Sequence, residues 1–218
     1  LLVLIGLPAG LLAQTEPDGL SLRDKATITY VAKNHIQNEY AQFLSLLGSG
    51  DLPPQDIEML IERSYAPSFG QIFYDEKAVI EDNLDPTRNR YGQTQDLPVA
   101  QYLNNLVLFF LPDPQQLQAI TVSNLRSSAV REEPYVNIEI AFEERFFGTH
   151  KDKGSGYQTQ TRGATLRAVK DGRDWKTFIV NVVYLDPALT FVEAEIMPEE
   201  TAMSRAQPDS ALRFASET

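Results

Sequence analysis

The chain has 218 residues, of which 43% are hydrophobic and 22% charged, enough for one substantial core with tails but cramped for two full domains. A formal net charge of -11 with no Lys/Arg cluster excludes a nucleic-acid-binding face, because phosphates would be repelled. The absence of cysteine excludes a disulfide framework, thiol catalysis, thiolate metal sites and a lipid-attachment cysteine.

The opening run LLVLIGLPAGLLA is followed at once by polar QTEPDG. It is too short to span a bilayer as a helix but matches the apolar region of a secretory signal, with Ala13 before a plausible cleavage point. Residues 1–13 therefore read as the remnant of a signal peptide and 14–27 as a linker, and the protein is expected to be exported to the periplasm or the cell exterior. No stable membrane span is expected. From Ile28 to Leu47, apolar residues recur at steps of three and four (Ile28, Val31, Ile36, Tyr40, Phe43, Leu44, Leu47), which predicts an amphipathic helix ended by Gly48-Ser49-Gly50. His35 lies beside this stripe with Glu39 one turn on, the pattern of a solvated or capped imidazole. A second helix, QDIEMLIERSY, buries Ile57, Leu60 and Ile61 before Pro67 closes it. Ala78 to Ile80 reads as a strand, Leu84-Asp85-Pro86 breaks it, and Thr87 to Gln95 reads as a mobile loop. Asp96 as N-cap and Pro98 near the first helical position open a third helix through Phe110.

Beyond Pro114 the period changes from 3.6 to 2. Ala119 to Ser128 is one strand. Tyr135 to Phe147 is another, with Val136, Ile138, Ile140 and Phe142 on one face and Asn137, Glu139, Ala141 and Glu143 on the wetter one. In FEERFF only one of the adjacent Phe146 and Phe147 can point inward. His150 to Gly156 reads as a flexible connection. The strongest local signal follows: two strand-like runs, Tyr157 to Val169 and Trp175 to Tyr184, joined through Asp171-Gly172 as a hairpin. With those two residues as the turn, Lys170 faces Arg173, and the register pairs Ala168 with Trp175, Leu166 with Thr177, Ala164 with Ile179 and Arg162 with Asn181, all on one face. Trp175 then packs inward. From Asp186 the chain is acidic, Pro-containing and without period, so residues 188–218 read as a tail or linker.

Two helices, a strand, a helix and four strands make an α+β layout in which helices cover one face of a sheet. The helix pair NHIQNEYAQFLSLL and DIEMLIERSY, the strand AVIED, the helix VAQYLNNLVLFF and the closing WKTFIVNVVYLDP carry this order. It resembles the nuclear transport factor 2-like superfamily, the cystatin-like cone fold, and most of all its uncharacterised exported bacterial modules. The resemblance implies a domain over 28–187 with a curved antiparallel sheet of four to six strands, covered on one face by three N-terminal helices. The superfamily holds ketosteroid isomerases and polyketide cyclases as well as modules with no chemistry, so fold alone chooses no function. The isomerase pattern needs a carboxylate base and an oxyanion site of Tyr and protonated Asp. Glu81 or Asp82 could supply the carboxylate and Tyr40, Tyr74 or Tyr102 the phenol, but none aligns with a catalytic position and no catalytic residue is carried over.

The candidate ligand-binding residues are Arg162, Asn181, Trp175, Tyr102 and Tyr40. A guanidinium on a largely apolar concave face must meet an anion or carbonyls. If its partner is a ligand carboxylate or phosphate, this is a binding site; if it is Glu139, Glu81 or Asp82, it is a structural ion pair. The acidic group Glu81, Asp82 and Asp85 lacks the spacing of a calcium loop and reads as a solvated strand end before an Asp-Pro turn, so no metal or cofactor is expected. Tyr65, Phe69, Phe73, Tyr74, Phe109 and Phe110 line a pocket or fill the core. The expected function is a non-catalytic exported module that binds a small molecule or a protein partner through a cone pocket or an open sheet face. The alternatives are an isomerase- or cyclase-type enzyme and a structural module forming a homodimer through the sheet face.

Overall fold

The computed structural model describes residues 19–87 and 94–185. The expected signal remnant, the tail and most of the Thr87 to Gln95 loop lie outside the described residues. The first helix runs without a break from Leu22 to Leu47, as α1 (Leu22–Asn34), a π-helical segment (His35–Tyr40) and α2 (Ala41–Leu47). It thus starts six residues before the apolar stripe, inside the stretch expected to be a linker, because Ser21 caps it by accepting from the Asp24 N–H at 3.1 Å. The buried residues Ile28, Ala32, Ile36, Tyr40 and Leu44 step by four. In a straight α-helix each such step turns about 40° further round the axis, so the stripe would leave the core. The wider π turn winds it back and keeps Tyr40 facing inward.

Two more helices follow: α3 (Pro54–Tyr65), with Pro54 in its first turn, and α4 (Val99–Phe109). Six strands form one sheet: β1 (Val79–Glu81), β2 (Asp96–Pro98), β4 (Ile120–Ser127), β5 (Asn137–Phe146), β7 (Gln160–Asp171) and β8 (Asp174–Tyr184), in the order β2-β1-β8-β7-β5-β4. Two short strands, β3 (Phe110–Pro112) and β6 (Gly148–His150), pair separately. The α+β class and a sheet of six strands agree with the expectation. The sheet is mixed rather than antiparallel, however, since β1 runs parallel to β8, pairing Val79 with Asn181 and Ile80 with Val182. Asp96 is not an N-cap: its backbone pairs with Glu81 in the ladder, and the helix starts only after Pro98. Part of the connection expected to be flexible is β6, where His150 is buried against the Phe109 ring at 5.2 Å.

The inner face of β5 is as expected and extends further, but Ala141, expected on the wetter face, is 0% exposed. Ile138, Ile140 and Phe142 are sealed against the helices, each contributing about 1.5–3 kcal/mol by burial. Glu144 and Phe146 continue the same face, while Phe147 turns outward beneath the Arg145 guanidinium. Trp175 faces inward, as expected, and its Nε1–H donates to Asp24 Oδ1 at 2.8 Å, tying the first helix to the tip of the hairpin.

The hairpin turn is displaced by one residue. Gly172 and Arg173 form the loop, so that Gly172 takes the first central position with φ +62° and Asp171 pairs with Asp174. Lys170, not Ala168, therefore lies opposite Trp175. The register then shifts by one residue between Thr165 and Leu166, which leaves Val180 unpaired as a bulge. Before the bulge Trp175, Thr177 and Ile179 face inward; after it Val182 and Tyr184 do.

Candidate functional site

The bulge decides which residues meet around Arg162. It turns Asn181 to the outer face, where its Oδ1 accepts from the Thr165 N–H at 3.3 Å, and brings Tyr184 directly opposite Arg162. The expected Arg162–Asn181 pair is thus not formed, because one inserted residue reverses the facing of everything after it. Trp175 lies at the other end of the hairpin. Of the five expected ligand-binding residues, the structure brings together three: Arg162, Tyr40 and Tyr102.

Around these three, strand geometry assembles a closed polar chamber. On β5, Glu144 pairs with Gln160 of β7, and Phe142 pairs with Arg162, so Glu144 and Arg162 are diagonal neighbours on the inner face. Arg162 Nε lies 4.0 Å from Glu144 Oε2, and both side chains are 0% exposed. Arg162 Nη2 donates to the carbonyl of Glu81 at 2.8 Å, and the guanidinium stacks on the Tyr184 ring at 4.4 Å. The anticipated partners of Arg162 were the side chains of Glu139, Glu81 or Asp82; the carboxylate present is Glu144. Glu139 instead pairs with Arg131 near the surface, Glu81 accepts from the Tyr184 N–H, and Asp82 accepts from the Leu84 N–H.

The helices supply the other half. Tyr40 Oη donates to Glu144 Oε1 at 3.1 Å. Tyr102 Oη donates to Asn83 Oδ1 at 2.8 Å, and Asn83 Nδ2 in turn donates to Glu144 Oε2 at 2.6 Å and to Gln160 Oε1 at 3.0 Å. Every acceptor oxygen of Glu144, Asn83 and Gln160 side chains is therefore already engaged. Arg162 Nε and Nη1, Gln160 Nε2 and the Tyr184 hydroxyl are not: all four are buried without a hydrogen-bond partner. Leaving such groups unbonded costs about 1–3 kcal/mol each.

Burial pushes the Glu144 carboxyl above its ordinary value, and the Arg162 charge with the Tyr40 and Asn83 hydrogen bonds only partly opposes this. Burial also pushes Tyr40 and Tyr102 well above the usual phenol range, with the nearby Glu144 charge adding to it. Burial works against the charge on Arg162, but Glu144 and the facing tyrosines hold its value up. Chemically, the chamber offers one permanent cation, one carboxyl whose charged form burial disfavours, spare N–H donors and the unbonded Tyr184 hydroxyl.

No protein-family model matches the chain, and no curated protein resembles it. A solved structure of Kfla4162 from Kribbella flavida is similar over 74% of this chain and 89% of that one, at 12% identity and a TM-score of 0.36. At that level the likeness carries no argument about fold or function.

Glu144, Asn83, Gln160 and Tyr184 were not expected at the site. One more step of the period-2 pattern after Phe142 reaches Glu144, and Gln160, two residues before Arg162, shares its face; these signals were present in the sequence. Asn83 and Tyr184 carried none, since one sits in irregular chain and the other is placed by the bulge. The remaining candidates scatter. His35 is buried, not solvated: Nε2 lies 2.9 Å from the Ile72 carbonyl and Nδ1 3.0 Å from Glu39 Oε2. Phe73 and Phe110 fill the core, Phe69 is fully exposed, and Tyr74 lies on the outer sheet face against Arg167. A surface groove of about 900 Å3 between α3 and α4 is lined by Glu58, Glu62, Asp75 and Glu76 and by none of the chamber residues. Among the described residues no group of three His, Asp or Glu could hold a metal ion, and no helix is long and apolar enough to cross a membrane.

Proposed function

We propose that the chain is a non-catalytic, exported module of the cone-fold type that binds a small molecule in the chamber between its helices and the concave face of its sheet. One observation carries this reading: Arg162 Nε and Nη1 and Gln160 Nε2 are fully formed donors, buried, and without acceptors. A structural ion pair serves stability best when each of its polar atoms is bonded. A small ligand bearing acceptor oxygens would complete this one. Since Tyr40, Tyr102, Asn83, Glu144 and Arg162 are all 0% exposed, the ligand would reach them only when helices and sheet part, so association is slow.

The test is thermal unfolding of the purified protein against a set of small carbonyl and carboxylate compounds. Stabilisation that disappears in R162M supports the reading. Destabilisation by R162M with no compound shifting the wild type assigns the pair to structure alone.

A second reading, an acid–base enzyme of the isomerase or cyclase type, is favoured by the raised carboxyl of Glu144 at 3.1 Å from Tyr40 Oη. Turnover of enolisable ketones by the wild type and not by E144Q would support it. The other alternative, a structural module that forms a homodimer, would use the outer sheet face. There Arg167 lies between the rings of Tyr74 at 4.3 Å and Tyr135 at 3.9 Å, with Tyr135 half exposed, and a native mass measurement tests it.

A further inference from the structure

Resting on the small-ligand reading above, we infer that the chamber takes a small monocarboxylate, held by Arg162 and Gln160, and that Glu144 takes up one proton from the solvent as it binds. Three properties of the site point to this class. The first is the imbalance of hydrogen-bonding groups. Both Glu144 oxygens, Asn83 Oδ1 and Gln160 Oε1 already accept bonds, whereas Arg162 Nε and Nη1 and Gln160 Nε2 have none to give to. A ligand that brings donors, such as an amine, finds only the unbonded Tyr184 hydroxyl to accept them, whereas one that brings acceptors completes three N–H groups and can take the Tyr184 O–H as well.

The second is charge. The chamber holds one guanidinium and one carboxyl, and the other side chains facing Glu144 are the phenols of Tyr40, Tyr102 and Tyr184, with Asp82 and Glu81 on the flank where β1 ends. With Glu144 ionised the pair is neutral, and a bound anion would leave a net negative charge sealed from water. With Glu144 protonated, a monoanion balances Arg162 alone. A dianion such as hydrogen phosphate would overbalance it in either state, and uncompensated buried charge is strongly disfavoured. The third is geometry. The 4.0 Å gap between Arg162 Nε and Glu144 Oε2 is too long for a hydrogen bond, so Arg162 is not committed to Glu144. The Tyr40–Glu144 bond can reverse direction when the carboxyl carries the proton, because a phenol accepts as well as donates. Burial favours that protonated form.

The experiment measures binding of acetate and propionate, and of acetamide and propionamide as neutral counterparts of the same shape, to the intact protein by calorimetry and thermal unfolding. Above the titration of Glu144, carboxylate affinity is expected to fall about tenfold per pH unit, because one proton is taken up per ligand bound. The amides are expected to bind at least tenfold more weakly than the acids at mildly acidic pH. E144Q, which mimics the protonated carboxyl, should bind carboxylates with no pH dependence over the same range, and R162M should bind none. Should R162M fail to fold, the comparison of wild type with E144Q decides alone. Amides binding as tightly as acids, or E144Q keeping the wild-type pH slope, overturns the carboxylate assignment and leaves the small-ligand reading standing. Neither class binding at any pH overturns the small-ligand reading itself.

Discussion

Glu144 and Asp85 each sit beside a cation, yet their carboxyls move in opposite directions. Glu144 is sealed with Arg162 between helix and sheet, and burial raises it. Asp85 lies near the surface against Lys153; burial is the largest single influence and opposes its charge, but hydrogen bonds from Lys153 and from the Thr87 hydroxyl and N–H together outweigh it and hold it down to about 2. The surface pair keeps water for whatever it does not bond. The sealed pair lost that water and regained only part of it as hydrogen bonds. An ion pair that is short and fully bonded is already at rest, whereas one that is long and underbonded has capacity left for a third party.

The largest expected effect breaks the sealed pair. E144A leaves Arg162 buried with no carboxylate beside it and removes the acceptor from Tyr40 and Asn83, and it should cost about 3–5 kcal/mol in urea unfolding. The double variant R162M/E144L should lose clearly less than E144A alone, because no uncompensated charge remains. Equal losses in the two would mean that the charges do not sense each other.

His35 offers an intermediate case that sharpens the contrast. It is as buried as the chamber residues, but both ring nitrogens face acceptors, the Ile72 carbonyl and the Glu39 carboxylate. The hydrogen bond from His35 accordingly lowers the Glu39 carboxyl despite some burial. H35A should cost about 1.5–3 kcal/mol, the range for hydrogen bonds involving a charged group, and no small acid or amide should alter that loss. Ligand-dependent rescue of H35A would show that the π segment takes part in binding.

A smaller effect is read from pH. Glu144 is raised in the folded state above its ordinary 4.5, so the folded protein holds that proton more tightly than the unfolded chain does. Its stabilising contribution is fully present below pH 4.5 and is lost as pH rises through the raised value. E144Q cannot titrate and should lack this loss, so the stability difference between wild type and E144Q should shift in favour of the variant as pH rises. A difference that stays constant across this window would show that Glu144 is ionised throughout.

The same contrast explains how far the sequence could be read. The inner face of β5 was legible because Ile138, Ile140 and Phe142 answer to a period of two that needs no tertiary partner. That very regularity reaches Glu144 one step beyond Phe142, on the same inner face. The inward Trp175, the three helices and the hairpin itself were legible for similarly local reasons. The bulge at Val180 was not: nothing within WKTFIVNVVY distinguishes an inserted Val from a paired one, and the choice is made by which residues the helices can cover. The pairing of Arg162 with Asn181 failed at that point, as did the antiparallel expectation for β1, whose partner β8 lies far along the chain. Asn83, which joins Tyr102 to Glu144 and Gln160, lies in neither helix nor strand, so no periodicity marks it.

The smallest effect belongs to the surface pair and runs with the opposite sign. Because Asp85 is lowered in the folded state from its ordinary 3.8 to about 2, its contribution is present above pH 3.8 and is lost as pH falls through about 2. Lys153 and Asp85 are both partly exposed, so solvent screens the pair, and D85N should cost no more than about 1 kcal/mol near neutrality and nothing at the acid end. Added salt should erase most of that difference, since the charges lie within reach of mobile ions, whereas the effect of E144A should survive salt because no ion reaches the chamber. If salt weakened both alike, the chamber would be open to water. Its spare donors would then be hydrated, and the case for a ligand there would lose its foundation.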